Sequence, residues 1–131
     1  MSSLKLITMS KNTTQPKGNL IAEWGLSFLL KTEKATILFE IRRNISVCDN
    51  AHLLGIDLNK IDKIVLSHSH SDHTGGLRQV LERMNKKTKV DVIAHPDIRK
   101  ARYNCRDDKL NKYKGIPFQK EELERLGANF I

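Results

Sequence analysis

Four side chains able to ligate a metal fall within six residues, His68-Ser69-His70-Ser71-Asp72-His73, directly after the apolar run Ile64-Val65-Leu66. Three imidazoles and a carboxylate form a donor set suited to zinc or another divalent first-row ion, because neutral nitrogen and hard oxygen match borderline cations. Without an ion, several crowded imidazoles would need partners at once. His68 and His70 alternate as residues leaving a strand do, so both rings can face one side. Asp72 and His73 come where the chain must turn and can face a second point nearby. Thr74 and Gly75 are placed to cap a following helix.

The elements around this run follow from its flanks. Residues 63–67 form an expected strand. Over 75–86, Leu77, Val80, Leu81 and Met84 make one helical apolar stripe, with Arg78, Glu82, Arg83 and Lys86 outward. Lys89 to Ala94 reads as a second strand. Together they predict a βαβ unit with parallel strands and a right-handed crossover. The C-terminal ends of parallel strands share one sheet edge, so His95 should emerge beside His68–His73 as a catalytic candidate. Upstream, 4–9 reads as a strand and 11–18 as a loop. Leu20 to Trp24 reads as a short extended segment with Trp24 as core or interface filler. Residues 26–30 and 35–39 read as a hairpin across Lys31-Thr32-Glu33-Lys34. Val47, Ala51 and Leu54 predict a short helix ended by Gly55. On it Cys48 and His52 stand four apart, a spacing open to metal binding but more often that of ordinary core or surface residues. Residues 97–114 read as a polar, basic stretch, either a solvated surface segment or a loop able to cover a substrate, with Arg102 or Tyr103 in reach of a phosphate. Residues 119–126 read as a helix ended by Gly127, and 128–131 as the start of another strand.

The run His68-Ser69-His70-Ser71-Asp72-His73-Thr74-Gly75-Gly76-Leu77 resembles the signature of the metallo-β-lactamase superfamily. Residues 24–30 with 37–39, and Val92-Ile93-Ala94-His95-Pro96-Asp97, resemble a subgroup that includes methanopterin-biosynthesis enzymes. The resemblance covers nearly the whole chain, which is about half the length of such proteins. It implies half of an αββα sandwich, a mixed β-sheet with flanking helices. It assigns His68 and His70 to a first metal and Asp72 and His73 to a second. It implies metal-activated water attacking an ester or phosphoester, with one or two ions as cofactors. Asp72 is the catalytic candidate within the run; His95, by its place at the sheet edge, is a second, open to substrate contact, proton transfer, a replacement ligand or a structural role before Pro96. One departure concerns the turn after Leu38-Phe39. The family pattern has Asp-Thr-Gly there, its Asp supporting the metal loop; this chain has Glu40-Ile41-Arg42. Arg tolerates positive φ less readily than Gly. The family's later ligands, two His and an Asp, have no counterpart: no His follows His95 and no Asp or Glu follows Glu124.

Composition bounds the rest. A chain of 131 residues, 39% hydrophobic and 29% charged, fits a single globular domain over 1–131. No apolar run nears the roughly 20 residues that span a bilayer, and the N-terminus lacks a secretory pattern. Two cysteines without a CxxC pair point to a reduced, cytoplasmic protein. The net charge of +8 is uneven: nine Lys/Arg against seven Asp/Glu in 1–77, fourteen against eight in 78–131. A basic second half suits phosphorylated small molecules, while 5% aromatics and no stacking motif argue against nucleic acid. The expected partners are a small-molecule substrate and a second copy or a complementing second-half chain. Two other readings stand beside the hydrolase: an inactive remnant that binds one metal, and a basic module for phosphate or nucleic acid.

Overall fold

The computed structural model describes residues 3–15, 18–85 and 89–131, without the side chains of 110 and 111. Expectations for Pro16, Lys17 and Lys86 fall outside the described residues. Strands β1 (Lys5–Ser10), β2 (Ser27–Lys31), β3 (Thr36–Phe39), β4 (Lys63–Val65), β5 (Val90–Ile93) and β8 (Ala128–Phe130) form one mixed sheet in the order β1-β2-β3-β4-β5-β8. The first two pairings are antiparallel and the rest parallel. A separate antiparallel hairpin joins β6 (Tyr103–Arg106) to β7 (Lys109–Tyr113).

Alternation along the strands sends Leu29, Leu38, Ile64 and Val92 to one face, where all four are buried. Helices α1 (Ser46–Leu53), α3 (Leu77–Met84) and α4 (Lys120–Arg125) close that face, with α1 against β1, and α3 against both α1 and α4. The predicted stripe Leu77, Val80, Leu81 and Met84 is wholly buried. The expected mixed sheet with flanking helices is thus present, including the parallel β4–β5 pair around α3. Cys48 is buried in α1 and desolvation pushes its thiol up to about 11, whereas His52 is exposed. The two do not form a pair.

Two expectations change, those for residues 97–114 and for Trp24. Residues 97–114 are a 3₁₀ turn (Pro96–Arg99) and the β6–β7 hairpin, with no long covering loop. Asp107 and Asp108 adopt φ 51° and 56°, the left-handed pair a tight hairpin turn requires. Leu20 to Trp24 belongs to no strand. Trp24 is 66% exposed, so it fills no core. Among the described residues no helix is long and apolar enough to cross a membrane.

Candidate metal centre

The chain leaving β4 runs into a single helical turn, α2 (Ser71–Thr74), before α3 begins. The turn starts earlier than the apolar stripe indicates, because its residues are polar. Thr74 does not cap α3: its hydroxyl donates back to the His70 carbonyl (3.0 Å), and Gly76 occupies the cap position with no side-chain bond.

Two backbone bonds stitch α2 and the start of α3 to the turn after β3: Ile41 N–H donates to His73 O and Gly76 N–H to Arg42 O, each at 3.0 Å. Glu40 supplies the third tie. Its side chain is 2% exposed, accepts the Ser67 N–H through one oxygen, and meets His73 Nδ1 at 2.8 Å through the other. The carboxylate therefore grips both ends of the histidine run. Its extra methylene relative to Asp is accommodated with Glu40 at φ 60°, and Arg42 takes φ 65°, so two non-glycine residues hold left-handed backbone side by side.

This frame gathers the rings. His68 and His73 lie 4.1 Å apart between centroids, and His68 and His70 4.8 Å. Ligand atoms of Glu40, His68 and His73 all fall within 4.8 Å of one another. Asp72 Oδ2 is 3.5 Å from His73 Nε2. With Nδ1 bonded to Glu40, His73 keeps Nε2 for a cation, the usual consequence of a carboxylate behind a ligating imidazole. Burial, then the neighbouring His73 and His70, hold the His68 pKa below its ordinary value against the pull of Glu40 and Asp72. A neutral imidazole is the form that ligates. Among the described residues, Glu40, His68 and His73 are the group whose ligand atoms converge, a donor set that suits one divalent ion, while His70 and Asp72 lie outside it.

His95 emerges at the same sheet edge as the histidine run. Its Nδ1 accepts the Asp97 N–H at 3.1 Å, opening the 3₁₀ turn, and its ring lines a cleft of about 440 Å³ with His68, His70 and Arg102. Tyr103 packs edge-on against Tyr113, 5.4 Å between centroids. A second cleft shares His70 with the first and is lined also by Asp72, Trp24, Arg43, Lys112 and Lys114. The residues of this second cleft follow no local pattern, since the β6–β7 hairpin brings the last two from forty residues away in sequence.

Comparison with known proteins places these features. The chain is 30% identical over 136 residues to the 7,8-dihydropterin-6-methyl-4-(beta-D-ribofuranosyl)-aminobenzene-5'-phosphate synthase of Methanocaldococcus jannaschii, covering 100% of this chain and 46% of that protein. An uncharacterised protein of the same organism is 36% identical over 106 residues, 80% of this chain and 38% of that one. The chain thus spans about half the length, or less, of the curated relatives it matches. Among solved structures, a metal-dependent hydrolase of the beta-lactamase superfamily superposes with TM-score 0.72 at 21% identity, over 98% of this chain and 42% of that one. Human tRNase Z, short form, does so with TM-score 0.53 at 17% identity, over 71% and 33%; both likenesses concern the fold. The sequence model of the metallo-beta-lactamase superfamily matches residues 25–128, and the chain belongs to that superfamily.

Proposed function

We propose that the chain carries the metal-binding half of a hydrolase acting on an ester or phosphoester, with His68, His70, Asp72 and His73 as the ligands of one divalent ion, zinc in the first place. The observation that carries this reading is the double grip of Glu40 on Ser67 N–H and His73 Nδ1. A carboxylate behind an imidazole fixes the ring's orientation and leaves its other nitrogen for an ion. When bound, the ion supplies Lewis acidity and lowers the pKa of a coordinated water. The chain's own residues do the rest. Asp72, beside His73 Nε2, holds or accepts a proton. His95, its Nδ1 engaged by Asp97 N–H, presents its other nitrogen to the shared cleft for proton transfer to a leaving group.

Metal content of the purified chain, with zinc competition against a chromophoric chelator, tests the assignment. One ion per chain is expected. Replacing His68 and His70 together by Ala abolishes uptake, and His52→Ala leaves it unchanged. Glu40→Gln weakens affinity about 10–100-fold, the range for losing such a supporting partner. Equal uptake by parent and double variant would remove the assignment.

A second reading, an ion held without turnover, is favoured by one observation: buried Arg42 occupies the turn behind the ligands. Turnover needs positions fixed to within about 1 Å. We therefore expect this chain alone to hydrolyse generic phosphoesters barely faster than free zinc. A much higher rate, lost in Asp72→Ala, would instead assign it a complete site. We further propose that the helix-free sheet face is covered in use by a second copy or a complementing chain.

A further inference from the structure

We propose that Ser67 is a positioning residue of the metal centre: its hydroxyl sets the His68 ring so that Nε2 is the nitrogen left for an ion. Glu40, which holds Ser67 by its backbone, then orients two ligating rings rather than one. The inference rests on His68 and His73 holding an ion, as proposed for the hydrolase, and adds a residue outside the histidine run.

The backbone that carries Ser67 is tied on both sides. Glu40 N–H, in the turn after β3, donates to Val65 O at 2.9 Å, and Leu66 N–H donates to Ile93 O of β5 at 3.0 Å. Ser67 N–H then donates to the buried Glu40 carboxylate. Val65, Leu66 and Ser67 thus each commit a backbone group to a neighbouring segment. The Ser67 side chain leaves a fixed frame, and its Oγ lies 2.8 Å from His68 Nδ1.

His68 needs such a partner more than His73 does. The χ2 torsion of a histidine is broad, so an exposed ring turns freely unless one nitrogen is held. His73 is held at Nδ1 by Glu40, 2.8 Å away. His68 is exposed, and among the described residues its ring has one hydrogen-bonding partner, the Ser67 hydroxyl. It also meets His70 and His73, at 4.8 and 4.1 Å between centroids. Ring-on-ring contacts place the imidazole but do not choose between its two nitrogens; the Ser67 contact does.

The choice follows from the proton count. A neutral imidazole has one N–H and one free lone pair. If Nδ1–H donates to Ser67 Oγ, the lone pair is on Nε2, ready for an ion. If instead the Ser67 hydroxyl donates to Nδ1, Nε2 carries the proton and binds none. Ser67 is exposed, so its own O–H can turn to water while its oxygen accepts, and the first arrangement leaves no group unpaired. A divalent ion selects that arrangement, because the bond made by one ring nitrogen decides which atom is metallated. A ring turned to ligate through Nδ1 would forfeit the Ser67 contact altogether.

Zinc affinity, read by chelator competition, is compared for the parent chain, Ser67→Ala, Ser67→Thr and Ser67→Val. Thr and Val have nearly the same shape, so their difference isolates the hydroxyl. The Ala and Val variants should bind zinc about 10-fold more weakly, and the Thr variant within about 3-fold of the parent, the modest end of what a supporting partner contributes because Ser67 is exposed. Equal melting temperatures of the four metal-free proteins would set a merely structural role aside. Long-range proton–nitrogen NMR of the zinc-loaded parent should show His68 protonated on Nδ1 and metallated on Nε2. Parent-like affinity in the Ala or Val variant, a Thr variant as weak as Val, or ligation by His68 Nδ1 would overturn this inference while leaving the metal assignment standing. A parent chain that takes up no zinc would remove both.

Discussion

Arg42 is fully enclosed, yet its Nε and Nη1 have no hydrogen-bond partner. Only Nη2 is engaged, donating to Asn12 Oδ1 at 3.3 Å. Burial draws its pKa below the ordinary guanidinium value, with Glu23 and Asp72 acting in the other direction. An unpaired buried donor costs roughly 1–3 kcal/mol, and left-handed backbone adds a similar amount at a residue other than glycine. Arg42→Met keeps much of the volume and removes the charge. We predict a gain on the order of 1–2 kcal/mol, seen as a melting temperature higher by several degrees. A lower one would mean that attraction to Glu23 and Asp72 outweighs desolvation. At this scale the sequence was partly legible. The histidine run declares its chemistry by type and spacing. Glu40 could be singled out only through the resemblance, because one Glu after an apolar run has no local signature. The burial of Arg42 was not legible, since arginine almost always reaches solvent.

Among the elements, the junction between the turn after β3 and α2 controls the candidate centre, and Gly25 packs into it. Gly25 has φ 116°, and a Cβ there would collide with the Asp72 carbonyl. Gly127 has a similar φ of 106° with nothing nearby. The pair separates backbone strain from collision. Gly127→Ala should cost about 1 kcal/mol, and Gly25→Ala on the order of 2–4 kcal/mol, the latter with weakened zinc binding because α2 is displaced. Denaturant unfolding of both checks this; equal losses would show that the Asp72 backbone yields freely. Helix α3 was readable because its apolar stripe is strict. The β6–β7 hairpin was not, because every described side chain of β6 is exposed and no alternation in polarity marks it. Helix α2 escaped notice for a related reason: Ser71, Asp72, His73 and Thr74 suit ligation and turns rather than helical propensity.

At the scale of the whole molecule, the sheet has one covered face and one open face. Phe28, Phe39, Val65 and Ile93 align in register across β2 to β5 on the side away from the helices, beside Leu6, which is 59% exposed. An apolar row of this breadth favours association. Sedimentation should show dimers or larger species at micromolar concentration, and Leu6→Glu with Ile93→Lys should shift them to monomer. A stable monomer of the parent chain would count against it. The neighbouring row runs Leu6, Leu30, Ile37, Lys63, Asp91, Asn129 across all six strands. Its polar end is already satisfied, Asp91 accepting from Lys63 Nζ at 3.2 Å and from Asn129 Nδ2 at 2.9 Å. Along this row the open face is thus graded, oily over β1 to β3 and self-bonded over β4, β5 and β8. A covering surface turned end for end would lay hydrocarbon on the Lys63–Asp91–Asn129 ladder and polar groups on Leu6 and Leu30. Only one heading of the cover avoids both mismatches, so the face carries a polarity as well as a stickiness.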